Sequence, residues 1–191
     1  MMTNKFTIDL PMLMRAMNFY QNRGYRPIPA PQCVNLPAIE MTLPKGRFAK
    51  FHDLKSFYVG SAEQSFYQLM DDWEKLGFPL KQSDGKFMML TPCQRNEDVL
   101  DDSHFEIFLK LELISLDGWV NYDVLSFLSR EGLDAKEVPL EDGTIDIELN
   151  GIEIGSYGMR TKNDIKIYYG TGLAMPRISY AKSMRRDKNA A

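Results

Sequence analysis

Residues 146–155 read DIELNGIEIG, two short runs of alternating apolar and acidic residues joined by the pair Asn150-Gly151. An Asn-Gly pair between alternating runs is the strongest short-range signal for a two-residue β-hairpin turn. The predicted cross-strand pairs are Leu149 with Ile152, Glu148 with Glu153, and Ile147 with Ile154. One face of this hairpin is apolar and carries Ile145, Ile147, Leu149, Ile152 and Ile154. The stretch therefore predicts two antiparallel strands with one buried face.

The opposite face of the predicted hairpin carries three carboxylates, Asp146, Glu148 and Glu153. Like charges directly opposite each other destabilise a hairpin, and at about 5 Å with an effective dielectric near ~20 the repulsion is roughly 3 kcal/mol. The acidic cluster is therefore either kept for a function that offsets the repulsion or is an ordinary acidic surface that faces water.

The composition indicates a globular protein. The chain has 191 residues, of which 44% are hydrophobic, enough for a substantial core. Its formal net charge of −3 shows no overall basic excess of the kind that accompanies nucleic-acid binding. We predict one domain over residues 1–191, with a disordered basic tail at 183–191.

Cysteine usage and hydropathy lead us to expect a cytoplasmic protein. Cys33 and Cys93 are the only cysteines and have no CxxC spacing, which excludes a disulfide framework and argues against a zinc site built on thiolates. No run of 18 uncharged apolar residues occurs, and the N-terminal residues do not follow the pattern of a secretion signal. We therefore expect no membrane partner.

Capping residues and stop glycines predict three helices. The helices run from Asp9 to Gly24, from Ser61 to Gly77 and from Asn121 to Gly132. The first helix carries a predicted apolar stripe of Leu10, Leu13, Met14, Met17 and Tyr20. The proline-rich run at 25–34 predicts an extended sheet edge, and residues 36–56, which include His52, read as a loop.

Strands are predicted at residues 57–60, 86–95 and 104–114, in addition to the hairpin. Residues 165–184 read as a strand, a glycine turn and a helix. Helices packed on an antiparallel β-sheet make the expected fold class α+β.

Two segments carry residues suited to a nucleotide. Arg95 ends one predicted strand, and the returning strand places Phe108, Lys110 and Glu112 on one face by its period of two. An arginine suits phosphate and an aromatic ring stacks on a flat base, although an amphipathic hairpin with one wet face is the alternative. The second segment, GTGLAMPR, places Arg177 after two glycines, which suits a terminal phosphate or reflects structural glycines alone.

Over residues 9–182 the sequence resembles the catalytic core of class II aminoacyl-tRNA synthetases. The first family motif is similar to FYQNRGYRPIPAPQCV, with Pro31 at the position of the motif's proline. The second motif is matched by Arg95, Glu97, His104, Phe108 and Glu112, and the third by Gly170, Gly172, Leu173 and Arg177. Three motifs in order at suitable separations make the resemblance fairly specific.

Within the family, the sequence resembles the subclass that contains the aspartyl, asparaginyl and lysyl enzymes. In the aspartyl type an Asp, a Glu and an Arg recur seven residues apart around an Asn-Gly turn, and Asp146, Glu153 and Arg160 repeat that spacing. The stretch IEIGSYGMR is also similar to the ammonia-dependent asparagine synthetase, a tRNA-independent relative of aspartyl-tRNA synthetase.

The resemblance implies a role for each matched residue. The residues implied to bind ATP are Arg95, Glu97, His104, Phe108, Gly170, Gly172 and Arg177, of which Arg95 and Arg177 are the implied catalytic residues. Asp146, Glu153 and Glu112 are the implied Mg²⁺ ligands. The amino acid would be bound by Glu63, Arg160 and Ser156, with Glu63 on its α-ammonium group and Arg160 on an acidic or amide side chain.

The implied reaction is attack of an amino acid's carboxylate on the α-phosphorus of ATP, giving an acyl-adenylate, with aspartate or a close analogue as the expected substrate. Because the 191 residues leave little room for an anticodon-binding domain, we expect transfer to a non-tRNA acceptor such as ammonia or another amine. There are two alternatives. One is a non-catalytic sensing subunit, and the other is aminoacylation of an RNA in trans aided by Arg185 and Arg186, so the sequence does not decide whether tRNA is a partner. The family also implies a homodimer through residues 9–34.

Overall fold

The computed structural model describes residues 7–42, 55–96 and 104–188, which form five α-helices and nine β-strands. The helices are α1 (Leu10–Gln21), α2 (Leu36–Glu40), α3 (Ala62–Lys75), α4 (Asn121–Arg130) and α5 (Arg177–Lys188). The strands are β1 (Tyr25–Pro27), β2 (Cys33–Val34), β3 (Phe57–Tyr58), β4 (Lys86–Gln94), β5 (Ile107–Ser115), β6 (Lys136–Pro139), β7 (Ile145–Leu149), β8 (Ile152–Lys162) and β9 (Ile165–Met175).

Seven strands form one sheet in the order β1-β4-β5-β9-β8-β7-β6, and β2 pairs with β3 separately. All neighbours in the large sheet are antiparallel except β1 and β4. The predicted α+β class, an antiparallel sheet flanked by helices, is therefore confirmed. The proline-rich run forms the predicted sheet edge, β1, whereas β6 at the opposite edge was missed.

Both faces of the large sheet are covered. On the first face, here called the α1/α4 face, α1, α4 and α5 pack over residues such as Leu111 and Tyr157. On the second, the α3 face, α3 packs over residues such as Phe87 and Ile114. The candidate functional residues lie on the α3 face of the sheet, either under α3 or further along the same face at β7.

Helix α1 starts at the predicted cap, because Asp9 Oδ1 accepts a hydrogen bond from the Met12 amide at 2.9 Å. Its buried residues are Met12, Leu13, Ala16 and Tyr20. The predicted stripe is therefore wrong in part, since Leu10 and Met14 are 58% and 64% exposed. The helix is apolar around much of its circumference, so periodicity alone could not choose the face that meets the sheet.

Two boundaries differ from the sequence prediction. Residues 36–40 form α2 rather than a loop, because the Asn35 side chain caps the helix by accepting a hydrogen bond from the Ala38 amide at 3.0 Å. Residues 43–54, including His52, lie outside the described residues. Helix α5 reaches Lys188 and so extends into the segment 183–191 that was predicted to be a disordered tail.

The hairpin turn forms as predicted, with φ of 55° at Asn150 and 80° at Gly151, the values that a two-residue turn with left-handed residues requires. Glu148 pairs with Glu153, as predicted, but the expected pairing of Ile147 with Ile154 is wrong. A β-bulge there pairs Ile147 with Gly155 instead, and Asp146 with Ser156. The bulge turns Ser156 onto the acidic face of the hairpin.

The predicted glycine turn is also wrong, because β9 continues through Gly170 and Gly172. Gly172 is the extra residue of a bulge between β5 and β9. A Cβ atom at Gly170 would lie 2.5 Å from Val120 Cγ2, and one at Gly172 would lie 3.0 Å from the Tyr20 ring. Close packing against α1 and α4 therefore requires these glycines.

A buried carboxylate joins α4 to the sheet edge and to α1. Asp123 accepts hydrogen bonds from Arg23 at 2.8 Å, from the Tyr25 hydroxyl at 3.0 Å and from Lys86 at 3.2 Å. Burial and the nearby Asp123 carboxylate raise the pKa of Tyr25 far above its ordinary value, so its hydroxyl remains a donor. This cluster ties together elements that are distant in the sequence.

We predict that Asp123→Asn lowers the free energy of unfolding by about 2 kcal/mol, because Arg23 and Lys86 lose the negative charge between them and one accepting oxygen is replaced by an NH₂ donor. Chemical denaturation measures the change. Asp134→Asn, at an exposed carboxylate, is the matched control and should change it by less than about 0.5 kcal/mol. Equal effects of the two substitutions would contradict the role of Asp123.

Candidate active site

The α3 face of β5 places Phe108, Lys110 and Glu112 side by side, as the strand period predicts. Their exposed fractions are 7%, 8% and 0%, so the alternative of a wet face is wrong. Helix α3 covers this part of the strand. A lysine and a glutamate can lie on a buried strand here because they pair with each other.

Ser61, Lys110 and Glu112 form a compact buried cluster. Glu112 Oε2 accepts hydrogen bonds from Ser61 Oγ at 2.5 Å and from Lys110 Nζ at 2.8 Å, and Lys110 Nζ lies 3.1 Å from Ser61 Oγ. Ser61 also caps α3 in the predicted capping box with Gln64. Within the described residues, Glu112 Oε1 is the one buried side-chain nitrogen or oxygen without a hydrogen-bond partner. A buried acceptor of this kind is stabilised by a ligand that donates to it.

Glu63, in the first turn of α3, meets Arg160 from β8. Arg160 Nε donates to Glu63 Oε1 at 3.0 Å, and the Tyr67 hydroxyl donates to the same oxygen at 2.7 Å. The Glu63 side chain is 4% exposed and that of Arg160 is 36% exposed. Burial raises the pKa of Glu63, while Arg160 and Tyr67 oppose the rise. The structure thus brings together two predicted substrate-binding residues, as an ion pair.

Arg95 and Phe108 also lie together, as a base-stacking and phosphate-binding pair would. The Arg95 guanidinium lies 5.2 Å from the centre of the Phe108 ring, and its Nε donates to the Gly60 carbonyl oxygen at 2.9 Å. His104 is an exposed residue shortly before β5. The predicted ATP-binding residue Glu97 lies outside the described residues.

The acidic face of the hairpin forms a second region. Burial, followed by the charges of Glu153 and Glu148, raises the pKa of Asp146. Glu153 Oε1 accepts a hydrogen bond from Arg177 at 3.1 Å. The predicted phosphate-binding arginine therefore lies beside the predicted metal ligands, and Ser156 pairs with Asp146 across the strands.

Glu112 does not join this acidic region. Strands β9 and β8 separate β5 from β7. At ~4.8 Å per strand spacing, the backbones of Glu112 and Asp146 therefore lie roughly 14 Å apart. Within residues 7–42, 55–96 and 104–188, no three acidic, histidine or cysteine side chains are arranged so that they could hold a metal ion together. Asp146 and Glu153 alone still fit Mg²⁺, which proteins commonly hold through one or two carboxylates together with substrate phosphates.

The remaining predicted residues, Gly170 and Gly172, lie on β9, where the space for a Cβ is filled by Val120 and Tyr20 on the α1/α4 face. The geometry supports the interpretation that they are structural glycines.

Sequence reasoning gave no role to Lys110, Tyr67 and Tyr169, although each contacts a predicted site residue. The signal for Tyr67 was available, because it lies four residues after Glu63 on a helix.

We predict that Glu148→Gln lowers the pKa of Asp146, because it removes one of the three neighbouring carboxylates, Glu153, Glu148 and Asp142, that raise it. Because the pKa of Asp146 is raised in the folded state, its contribution to stability is fully present at a pH below the ordinary carboxyl pKa of about 4. That contribution is lost as the pH rises through the raised pKa. The substitution should therefore raise the free energy of unfolding at pH ~7, where Asp146 is ionised, and leave the contribution of Asp146 unchanged at pH ~3, where it is protonated.

An NMR titration of the Asp146 carboxyl carbon measures the pKa. Glu141→Gln, at an exposed carboxylate in the preceding turn, should leave the titration unchanged. An unaltered Asp146 titration in Glu148→Gln would contradict the crowding of these charges.

The fold matches solved structures of class II aminoacyl-tRNA synthetases. Two structures of pyrrolysyl-tRNA synthetase from Desulfitobacterium hafniense align with TM-scores of 0.68 and 0.71 at 16% and 18% identity. Each alignment covers 91% of this chain, and they cover 68% and 69% of the two synthetase chains. Cytoplasmic serine-tRNA ligase from Naegleria fowleri, in complex with AMP, aligns with a TM-score of 0.70 at 14% identity, over 90% of this chain and 52% of the ligase.

Comparisons at the level of sequence give no match, either to a family model or to a curated protein. The chain therefore has the class II aminoacyl-tRNA synthetase catalytic fold, and the likeness at these identities concerns the fold alone. None of the described helices combines the length and apolar character needed to cross a bilayer.

Proposed function

We propose that this chain uses ATP to activate the carboxyl group of an amino acid, aspartate or a close analogue, as an acyl-adenylate. The observation that carries the proposal is a row of charged, hydroxyl and aromatic side chains along the α3 face of a class II fold. Arg95 and Phe108 begin the row, the Ser61-Lys110-Glu112 cluster continues it, and the Glu63–Arg160 pair ends it. The similar serine-tRNA ligase is in complex with AMP, the nucleotide portion of an adenylate.

In this proposal the Arg95 side chain moves off the Phe108 ring to bind the α-phosphate and the attacking carboxylate, and Phe108 then stacks on adenine. Attack of the carboxylate oxygen on the α-phosphorus, with pyrophosphate as the leaving group, needs charge neutralisation and in-line positioning rather than a strong acid or base. Burial raises the pKa of Cys93 to about 12, so this thiol stays protonated and offers no nucleophile. Arg177 would bind the pyrophosphate portion of ATP. Mg²⁺ held by Asp146 and Glu153 would neutralise charge on those phosphates.

The amino acid would bind between α3 and β8. We assign its α-ammonium group to Oε1 of Glu112, because this buried oxygen has no hydrogen-bond partner, and we place Glu63, the group expected from the sequence, beside the substrate's side chain through its pairing with Arg160. Arg160 would then reach an acidic or amide side chain, with Ser156 nearby on the same strand. The spacing of Asp146, Glu153 and Arg160 supports the aspartate-like class and the relation to ammonia-dependent asparagine synthetase. The proposed acceptor is ammonia or another amine.

We predict amino-acid-dependent exchange of labelled pyrophosphate into ATP. Arg95→Ala should reduce the exchange rate about 100-fold or more, because one preorganised cation at the reacting phosphate is lost. Lys75→Ala, at an exposed cation at the end of α3, is the control and should leave exchange unchanged.

The same exchange measurement separates the proposal from a sensing subunit. Binding of ATP with Mg²⁺ in calorimetry, without exchange for any of the common amino acids, would contradict activation and favour the sensor. Acyl transfer to an RNA rather than to an amine would instead identify the acceptor as nucleic acid.

A homodimer through residues 9–34 belongs to the proposal, and Leu10 and Met14 are the exposed apolar residues on α1 that would meet in it. We predict a dimeric mass by light scattering and a dissociation constant raised at least tenfold by Met14→Glu, which buries a charge at the interface. Leu76→Glu, at an apolar residue that is 70% exposed after α3, is the matched control. A monomeric wild-type mass would contradict this interface.

A further inference from the structure

The Glu63–Arg160 pair has a consequence for the substrate's side chain. Glu63 comes from α3 and Arg160 from β8, 97 residues later in the chain. The carboxylate is buried and held by two donors, whereas the guanidinium is 36% exposed beside the Tyr169 ring. A ligand that reaches Arg160 therefore meets a cation whose charge is already balanced.

The other cations near the start of α3 are balanced as well. Lys110 pairs with Glu112 at 2.8 Å, and Lys162 pairs with Asp71 at 2.6 Å. Arg95, the remaining cation among the described residues of this region, lies over Phe108 at the nucleotide end of the row. An acidic side chain bound at Arg160 would therefore add a net negative charge close to the Glu63 carboxylate, and within residues 7–42, 55–96 and 104–188 no unbalanced cation lies beside it.

A carboxamide side chain fits the same position without that penalty. Its carbonyl oxygen can accept from the guanidinium N–H groups that Glu63 leaves available, since arginine has five donors in a planar fork. Its NH₂ group can donate to the adjacent carboxylate, which accepts hydrogen bonds only. A donor and an acceptor placed side by side thus match an amide and disfavour a second carboxylate.

We propose that Glu63 is a specificity-determining residue and that the Glu63–Arg160 pair selects an amino acid with a carboxamide side chain over one with an acidic side chain. This inference rests on the proposed function, because it assumes that the site holds an amino acid. It separates the two side-chain classes that the sequence left open at Arg160.

Two assays on the wild-type chain and on Glu63→Gln test the proposal with asparagine and aspartate. In calorimetry, the wild type should bind asparagine at least tenfold more tightly than aspartate. In pyrophosphate exchange, kcat/KM should show the same preference. Glu63→Gln keeps the shape and the acceptor for Tyr67 but leaves the Arg160 charge unbalanced, so the ratio should shift toward aspartate by at least tenfold in both assays. Glu74→Gln, at an exposed carboxylate on the same helix, should leave the ratio unchanged.

The outcomes separate this inference from the proposed function. Preferential binding of asparagine without any exchange would support the selectivity and contradict activation. Exchange that prefers aspartate in the wild type would support activation and overturn the selectivity. An unchanged ratio in a folded Glu63→Gln, checked by its melting temperature, would overturn the role of Glu63. Failure of the wild type to bind either amino acid would overturn the inference as well.

Discussion

The start of α3 is the constraint on which the candidate site depends, because it joins the helix to buried charges on the sheet. Ser61 caps the helix and also donates to Glu112, while Glu63 accepts from Arg160 on β8. Buried charges are tolerated when they are paired and hydrogen-bonded. Docking of α3 therefore fixes the position of the helix, of two strands and of the groups that would bind an amino acid.

The opposite face of the sheet packs closely behind this arrangement. Gly170 and Gly172 on β9 allow Val120 and Tyr20 to approach the sheet closely, and the Tyr20 hydroxyl donates to the Gly172 carbonyl oxygen at 2.9 Å. The residue between them, Thr171, lies on the α3 face opposite Glu112. Tight packing on one face thus supports the polar cluster on the other, since interiors transmit strain and tolerate few voids.

Local patterns predicted much of the fold, and long-range packing decided the rest. The caps at Asp9 and Ser61 and the Asn150-Gly151 turn depend on neighbouring residues and formed as predicted. The bulge at Ile147, where the register of β7 and β8 shifts, and the burial of Phe108 depend on packing by strands and a helix that are distant in sequence. The same holds at the site, where spacing indicated Glu63 and Arg160 separately but could not show that they form an ion pair.

The central claim is that the amino acid's carboxylate attacks the α-phosphorus of ATP. The direct test is incubation of the chain with ATP, Mg²⁺, hydroxylamine as acceptor and a labelled amino acid, either asparagine with heavy oxygen in its carboxyl group or aspartate with heavy oxygen in both carboxyl groups. Mass spectrometry should find one heavy oxygen in the AMP released, because that oxygen stays on phosphorus when the acceptor takes the acyl group. Heavy oxygen in inorganic phosphate together with ADP, or no AMP that depends on the amino acid, would contradict the account.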